Sequence, residues 1–163
     1  MALLAIVLAV GAPSLARFFR GRTLDSEAKR FLALTRYGQS RAVSEGVPMV
    51  LWIDAKQGTY GLTAESTYAE QDGKAVQFTL DGNLKVEVEM PPAGVVQSNQ
   101  WNPPSQIAGD AQTIRFMPDG FISDASPGRV LIREGDDGGL WIAQSRNRLN
   151  YEIQTDNSPG LRR

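Results

Sequence analysis

Residues 26–54 read SEAKRFLALTRYGQSRAVSEGVPMVLWID, and the hydrophobic pattern changes from helical to extended within this stretch. In its first part, the side chains that share helical rows are Ala28, Phe31, Leu32, Thr35, Gln39 and Ala42. Gly46 followed by Pro48 predicts the end of the helix, because glycine commonly follows a helix and proline cannot continue one. Residues 49–53 are apolar without interruption, which is typical of a buried strand. The chain is therefore predicted to pass from helix to sheet near residue 47.

The chain begins with the apolar run MALLAIVLAVGA at residues 1–12, which is followed by Pro13. A helix needs about 20 apolar residues to cross a bilayer, so this run alone is too short. Three interpretations are open: a secretory signal peptide, an enclosed core helix, and the later half of a longer membrane helix. A signal peptide normally carries a basic residue before the apolar run, and a core helix that is apolar on every face needs complete enclosure. We favour the third interpretation, in which Arg17, Arg20 and Arg22 mark the exit from lipid.

Downstream of the helix, short β runs alternate with turn residues. The clearest run is 84–90, where apolar and charged side chains alternate as they do on a half-buried strand. The other predicted strands are 49–53, 59–62, 76–80, 113–117, 129–133, 140–143 and 149–153. We therefore predict an α+β fold in which a long N-terminal hydrophobic helix packs on antiparallel β-sheets.

The predicted organisation has four parts. Residues 1–22 form the membrane or filament-core part of the helix, and residues 23–47 form its amphipathic continuation. Residues 48–154 form an antiparallel β domain, and residues 155–163 form a polar, flexible tail.

The composition argues against catalysis and against a resident metal. The 163 residues include neither cysteine nor histidine, so thiolate chemistry, the commonest general base and the commonest transition-metal ligand are all missing. A formal net charge of −1 gives no general attraction to nucleic acid. We therefore expect no enzymatic activity, no cofactor and no metal.

Three local groupings have a chemical interpretation beside a structural one. The acidic run EGDDGG at 134–139 offers oxygen ligands for calcium, but its spacing is not that of a calcium loop and a hairpin turn explains it. Asp119 and Asp124 flank a glycine and are interpreted as turn residues rather than as a carboxylate pair. Ser26 and Lys29 have the spacing of a nucleophile and a base, but a solvated helix row explains them as well.

Three segments, taken in order, resemble the GspH/FimT family of pilin-like proteins. The first is the 26–54 stretch, where Arg41 lies in the helix-ending segment and Gly46 precedes the first hydrophobic strand. The second is IRFMPDGF at 114–121, which reads as a strand, a turn and a glycine. The third is the order of the closing strands, at 129–132, 140–143 and 149–153. The resemblance covers nearly the whole chain, and the order and spacing of the segments carry it.

The resemblance implies a minor pseudopilin, which is a non-enzymatic structural subunit of a type II secretion pseudopilus. Such a subunit is held in the bacterial inner membrane by its N-terminal helix, with its β domain in the periplasm. Its expected partners are other pseudopilins or minor pilins and the inner-membrane assembly platform. Small residues permit close approach of helices in lipid. The candidate packing residues are Ala5, Ala9, Gly11 and Pro13.

The resemblance also implies features that would precede Met1. Pilin-like chains begin with a basic leader, a glycine cleavage site, a phenylalanine-type first mature residue and a glutamate soon after. We expect this N-terminus to be truncated, and a prepilin peptidase to be a partner if the true start lies upstream.

The FimT branch of the family implies a different function, namely DNA binding during natural transformation, through a Gly-Arg-x-Arg motif near the C-terminus. The matching region here reads SRNRLN at 145–150, which makes Arg146 and Arg148 the candidate DNA contacts. Only Arg148 fits the motif cleanly, and phosphate binding needs several cations. We therefore favour a solvated face for these arginines and expect no nucleic-acid partner.

The three tryptophans divide into two groups. Trp101 lies in a loop at 91–110 that is rich in Pro, Gln, Asn and Ser, where an exposed aromatic side chain is a candidate partner contact. Trp52 and Trp141 lie within apolar strands and are predicted to belong to the core.

Overall fold

A computed structural model of the chain describes residues 2–65, 72–89, 111–135 and 138–154, with side chains from residue 23 onward. Helix α1 runs from Ala2 to Glu45. The strands in the described residues are β1 (Met49–Asp54), β2 (Thr59–Ala64), β3 (Val76–Thr79), β4 (Leu84–Glu89), β5 (Gln112–Phe116), β6 (Arg129–Glu134), β7 (Gly138–Gln144) and β8 (Tyr151–Gln154). The predicted α+β class, with an N-terminal helix on antiparallel sheets, is confirmed.

The strands form two four-stranded antiparallel sheets. The first sheet has the order β3-β2-β1-β5, and the second has the order β4-β6-β7-β8. Strand β1 lies inside the first sheet, hydrogen-bonded to β2 on one side and to β5 on the other. All six of its residues are buried: the five apolar residues 49–53, as their uninterrupted run predicts, and Asp54.

The C-terminal part of α1 packs against strands of both sheets and supplies one wall of a shared core. Phe31 and Leu34 are buried, together with Leu51, Ile114 and Ile132 from the sheets. Burial of one such side chain contributes about 1.5–3 kcal/mol relative to exposure. The apolar face of the helix within residues 26–45 therefore attaches α1 to the sheets.

Gly38 allows α1 to approach the first sheet closely. A Cβ atom at this position would lie 2.8 Å from Leu62 Cδ1 and 3.0 Å from the ring of Phe116. Those distances are shorter than ordinary contacts between carbon atoms. Glycine at position 38 therefore sets how near the helix axis comes to β2 and β5.

The helix ends where Gly46 and Pro48 predict it. The amide of Gly46 donates to the carbonyl of Ala42 at 3.0 Å, and Gly46 has a φ of +68°. This left-handed conformation is strained for residues with a Cβ atom, so glycine suits the position directly after the last helical residue.

Both strand tryptophans are predicted to belong to the core. The structure buries Trp52, but it does not bury Trp141, so the prediction is wrong for Trp141. Trp52 is 5% exposed and lies across the ladder from Gly61, where an added Cβ would come within 2.6 Å of the indole. Trp141 is half-buried, because its neighbour Ile142 faces the core and successive strand residues point to opposite faces. An apolar run does not reveal which of its residues face outward.

Candidate interaction surface

The first polar junction between α1 and the first sheet is the N-terminal clamp, made of Glu27, Arg30 and Tyr60. The hydroxyl of Tyr60 donates to Glu27 Oε1 at 2.6 Å, and Arg30 Nη2 donates to both carboxylate oxygens at 2.6 and 2.5 Å. Arg30 Nε donates to the Tyr60 hydroxyl at 3.1 Å, and its guanidinium lies 5.0 Å from the centroid of the Phe78 ring. Burial, reinforced by Glu27, raises the pKa of Tyr60, so the phenol remains a donor at neutral pH.

The second junction is the C-terminal clamp, made of Arg41, Glu45, Asp72 and Lys74. Arg41 Nη2 lies 3.0 Å from Glu45 Oε2 and 3.0 Å from Asp72 Oδ1, while Lys74 Nζ lies 2.9 Å from Glu45 Oε1. Asp72 also accepts the backbone amides of Ala64, at 2.8 Å, and Lys74, at 2.9 Å. Arg41 is only 4% exposed. The clamp therefore ties the last turn of α1 to the end of β2 and the residues before β3.

The titration properties of the C-terminal clamp follow from its pairing. The hydrogen bonds from Arg41, and then from Lys74, lower the pKa of Glu45 to about 2. Burial alone would raise the pKa of Asp72, but hydrogen bonds from Arg41 and from two backbone amides outweigh it and lower that pKa. The same contacts with Glu45 raise the pKa of Lys74. At neutral pH all these groups are charged and paired, which suits a structural joint rather than proton transfer.

The third junction joins α1 to two loops, at residues 117–128 and 145–150, and contains Gln39. Gln39 Nε2 donates to the carbonyl of Gly120 at 2.6 Å and also to the carbonyl of Leu149. The two loops contact each other as well: the amide of Ile122 donates to the carbonyl of Arg148 at 3.2 Å, and Arg148 forms an ion pair with Asp124. One neutral side chain of the helix therefore holds both loops beside it.

Large apolar side chains are exposed at this third junction. Val43 is 54% exposed, Phe121 is 51% exposed and Leu149 is 39% exposed. They lie near one another, because Gln39 binds the carbonyls of Gly120 and Leu149, and a Cβ at Gly120 would be 3.6 Å from Val43 Cγ2. We call Val43, Phe121 and Leu149 the loop-side patch. This patch was not predicted from the sequence. One signal was present, because Val43 is apolar although Arg36 and Ser40, on the same side of the helix, are polar.

The outward face of the second sheet has a different character. Arg133 Nε lies 2.7 Å from Glu87 Oε1, and Arg129 Nη1 lies 4.0 Å from Glu89 Oε2. The two arginines flank Leu131, which lies across the ladder from the half-buried Trp141, and the opposite charges compensate each other across β4 and β6. This face therefore has the character of a solvated sheet surface.

The structure places the candidate DNA contacts in the turn between β7 and β8. Arg146 is exposed and makes no ion pair within the residues that the structure describes. Arg148 is also exposed, but it is paired with Asp124 and has a φ of +57°. The two arginines are thus close in the chain, yet one of them already has a carboxylate partner.

The other candidate residues have structural roles or lie outside the described residues. Asp119 Oδ1 accepts the amide of Phe121 at 3.0 Å, as a turn residue does, and Lys29 pairs with Asp25 at 2.7 Å instead of with Ser26. Outside the described residues or side chains lie Ala5, Ala9, Gly11, Pro13, Trp101, Asp136 and Asp137.

Two properties of the described residues bear on metals and membranes. Residues 23–65, 72–89, 111–135 and 138–154 contain no group of three or more acidic, histidine or cysteine side chains that could hold a metal ion. Within the described part of the chain, no helix has a stretch that is both long enough and apolar enough to cross a bilayer.

One long N-terminal helix lying on two antiparallel sheets is a pilin-like α+β fold. The family model described as "Type II transport protein GspH" matches residues 27–154. The chain therefore belongs to the GspH family, whose members are structural, non-enzymatic pseudopilins of type II secretion.

Solved structures share this fold. The minor pseudopilin EpsH from the type 2 secretion system of Vibrio cholerae has a TM-score of 0.58 at 12% identity, covering 83% of this chain and 98% of EpsH. A crystal structure of the same Vibrio cholerae pseudopilin has a TM-score of 0.56 at 12% identity, covering 85% of this chain and 98% of the other. No curated protein sequence matches this chain.

Proposed function

We propose that this chain assembles into a type II secretion pseudopilus through its N-terminal helix. The observation that carries the proposal is the continuity of α1 from Ala2 to Glu45, because the apolar run and the segment packed on the sheets belong to one helix. At 1.5 Å per residue, this helix is about 66 Å long. Membership of the GspH family agrees with this role.

The proposed mechanism is physical. The apolar N-terminal part of α1 lies in the inner membrane before assembly and then packs against neighbouring helices in the filament, while the β domain lies in the periplasm. Lipid is as apolar as leucine, so association depends on close packing and small residues. Ala5, Ala9 and Gly11 provide such positions, and membrane helices tolerate a proline such as Pro13.

The two clamps contribute to this function by fixing the helix on the β domain. Each contains buried charged groups, Glu27 in the first and Arg41 in the second, whose partners lie on or beside β2 and β3. A helix attached at two places about 20 Å apart along its axis resists rotation relative to the sheet. The position of the helix in a filament would then fix the orientation of the β domain.

Deletion and complementation in the bacterium that encodes the chain would test the proposal. Loss of the gene should reduce the secretion of type II cargo into the medium, and the wild-type gene should restore it. Ala9→Leu should complement poorly, because a larger side chain prevents close helix approach. Leu8→Ile, which keeps the volume at the adjacent position, should complement well. Unchanged secretion after deletion would contradict the proposed function.

Cross-linking would test assembly through the helix directly. The natural chain has no cysteine, so a single introduced cysteine reports one position only. Ala9→Cys should form disulfides with a cysteine in the helix of a neighbouring pseudopilin in assembled filaments. Lys85→Cys, on the exposed face of β4, is the matched control and should not cross-link to that helix. Equal cross-linking at both positions would contradict helix-mediated assembly.

Processing by a prepilin peptidase is part of the proposal for a chain whose translation starts upstream of Met1. Mass spectrometry of the protein extracted from its own membranes should then find a cleaved and N-methylated first residue upstream of Met1. If the protein in those cells begins at Met1, it is not processed by a prepilin peptidase, and this part of the proposal is wrong.

The alternative function, DNA binding as a FimT-like minor type IV pilin, has less support. It depends on Arg146 and Arg148, and Arg148 is paired with Asp124. Phosphate binding would have to compete with that pair and would fall steeply with salt. Salt-sensitive retention on duplex DNA that is lost in the Arg146→Ala, Arg148→Ala double variant would support the alternative.

A further inference from the structure

We infer that the loop-side patch is a docking surface for an acidic and apolar surface of a neighbouring pseudopilin. The inference rests on the proposed function and adds a second contact beyond the N-terminal helix. The surface consists of Val43, Phe121 and Leu149, together with two rim arginines: Arg36, on the same side of α1 as Val43, and Arg146, in the loop that carries Leu149.

The patch has the composition of an interface centre. Its three large apolar side chains are each at least 39% exposed, and they come from a helix and two different loops. Contiguous exposed apolar residues on a folded protein mark interaction sites, whereas single exposed ones need no explanation. Tyr37, which is also exposed, lies apart from the patch with its ring near Arg41 of the C-terminal clamp.

The patch is also held in shape before any partner binds. Gln39 fixes the carbonyls of Gly120 and Leu149, and the two loops are joined by the Ile122–Arg148 hydrogen bond. A surface that is ordered in advance loses little conformational freedom on binding. This arrangement favours a specific partner over non-specific association.

The rim charges indicate the chemistry of the partner. Arg36 lies on the exposed helix face, seven residues before Val43 and hence on the same side of α1. Within the described residues, Arg36 and Arg146 make no ion pair, and Asp124 is paired with Arg148. Asp119 accepts the amide of Phe121 but keeps its negative charge, so the two arginines leave the surface with an excess of positive charge. A partner with carboxylates around an apolar centre complements this surface.

The same features count against other occupants. A second copy meeting through the same surface would bring together two surfaces that each carry excess positive charge, since a two-fold contact uses the same patch on both copies. Nucleic acid would leave the apolar centre uncovered. Lipid is too far away, because Val43 lies about 32 Å along α1 beyond residue 22, where the proposed membrane part of the helix ends.

Binding measurements with the full-length chain in detergent would test the inference. The probes are the other pseudopilins of the same bacterium, purified one at a time, with duplex DNA as a separate probe. One pseudopilin should bind, and Val43→Glu and Phe121→Ala should each weaken its affinity by about tenfold or more. Ser44→Glu is the matched control, because it adds the same charge at the same end of α1 but about 100° around the helix. It should change the affinity by less than about twofold.

Several outcomes would overturn the docking surface. These are unchanged affinity in both patch variants, equal loss in Ser44→Glu, self-association that the patch variants abolish, or DNA retention without pseudopilin binding. Circular dichroism should show that Val43→Glu and Phe121→Ala fold normally, as expected for exposed positions. If Val43→Glu restores secretion fully while Ala9→Leu does not, the patch fails but the proposed function stands. If deletion leaves secretion intact, the proposed function itself fails.

Discussion

The two sides of helix α1 are attached to the rest of the protein in different ways. On the side of β2 and β3, the N-terminal and C-terminal clamps pair charged groups that are buried at Glu27 and Arg41. On the side of the two loops, the neutral side chain of Gln39 holds two backbone carbonyls, and the loop-side patch remains exposed. Paired buried charges resist separation, whereas exposed apolar groups become more stable when covered. The first side therefore maintains the fold, and the second is available to a partner.

The largest loss of stability is expected for Arg41→Met, which removes the buried cation of the C-terminal clamp. The variant leaves Asp72 without its guanidinium, and loss of one partner from a buried pair costs about 3–5 kcal/mol. The free energy of unfolding, measured with urea at neutral pH, should fall by about that amount. Arg36→Met, at an exposed helix position, is the control and should change it by about 0.5 kcal/mol or less. Similar losses in the two variants would remove the special role of the clamp.

Gly38→Ala tests the close approach of α1 to the first sheet. Alanine favours the helix by about 1 kcal/mol, but its Cβ would lie 2.8 Å from Leu62 Cδ1. Overpacking costs about 1–3 kcal/mol, so after the gain in helix propensity we expect a net loss of up to about 2 kcal/mol. Ser40→Ala, at an exposed position of the same helix, should be neutral or slightly stabilising. Thermal unfolding of the two variants distinguishes packing from helix propensity, and a stabilised Gly38→Ala would contradict the close approach.

A pair of tyrosine variants compares the two sides directly. Tyr60→Phe removes a hydrogen bond to the Glu27 carboxylate, and bonds to charged groups contribute about 1.5–3 kcal/mol. Because Arg30 still neutralises that carboxylate, we expect a loss of about 1.5 kcal/mol. Tyr151→Phe removes a bond to the carbonyl of Pro127 on the loop side, and we expect a loss of about 1 kcal/mol. Urea unfolding measures the free energy of unfolding of both variants. A larger loss in Tyr151→Phe than in Tyr60→Phe would contradict the stronger attachment on the clamp side.

Gln39→Ala should have a small global effect and a clear local one. The side chain makes two hydrogen bonds to carbonyls, but both loops are also joined by contacts of their own. We expect a loss of about 1 kcal/mol or less in the free energy of unfolding. Amide hydrogen exchange at Ile122 and Leu149 should accelerate, while Gln77→Ala on β3 should leave it unchanged. Unchanged exchange in Gln39→Ala would show that the glutamine does not hold the loops.

The smallest expected effect is the contribution of Glu45 to the pH dependence of stability. Its pKa is about 2 in the folded chain and 4.5 in its ordinary state, so the unfolded chain binds more protons between these values. The stabilisation is therefore complete above about pH 4.5 and is lost as the pH falls towards 2. Glu45→Gln should be less stable than the wild type at pH 7, and the difference should shrink through that window. A difference that is constant between pH 5 and pH 2.5 would contradict the role of ionised Glu45.

Much of the fold could be predicted from local pattern. The helix end at Gly46, the buried character of β1 and the alternation of β4 are consequences of backbone conformation and of side-chain period. The outward position of Trp141 could not be predicted, because the pattern of β7 is apolar on both faces and only packing selects one of them. The family resemblance added the order of the strands, and the GspH match over residues 27–154 confirmed the family.

The candidate surface depended more strongly on the tertiary structure. Arg146 and Arg148 were identifiable from a motif, but the pairing of Arg148 with Asp124 joins residues that are 24 positions apart. The loop-side patch combines Val43, Phe121 and Leu149, which are distant in the chain and unremarkable one by one. The sequence determined the elements because hydrogen bonding and hydrophobic period act between near neighbours. Only the tertiary structure decided which apolar groups remain uncovered, because exposure depends on the contacts between distant elements.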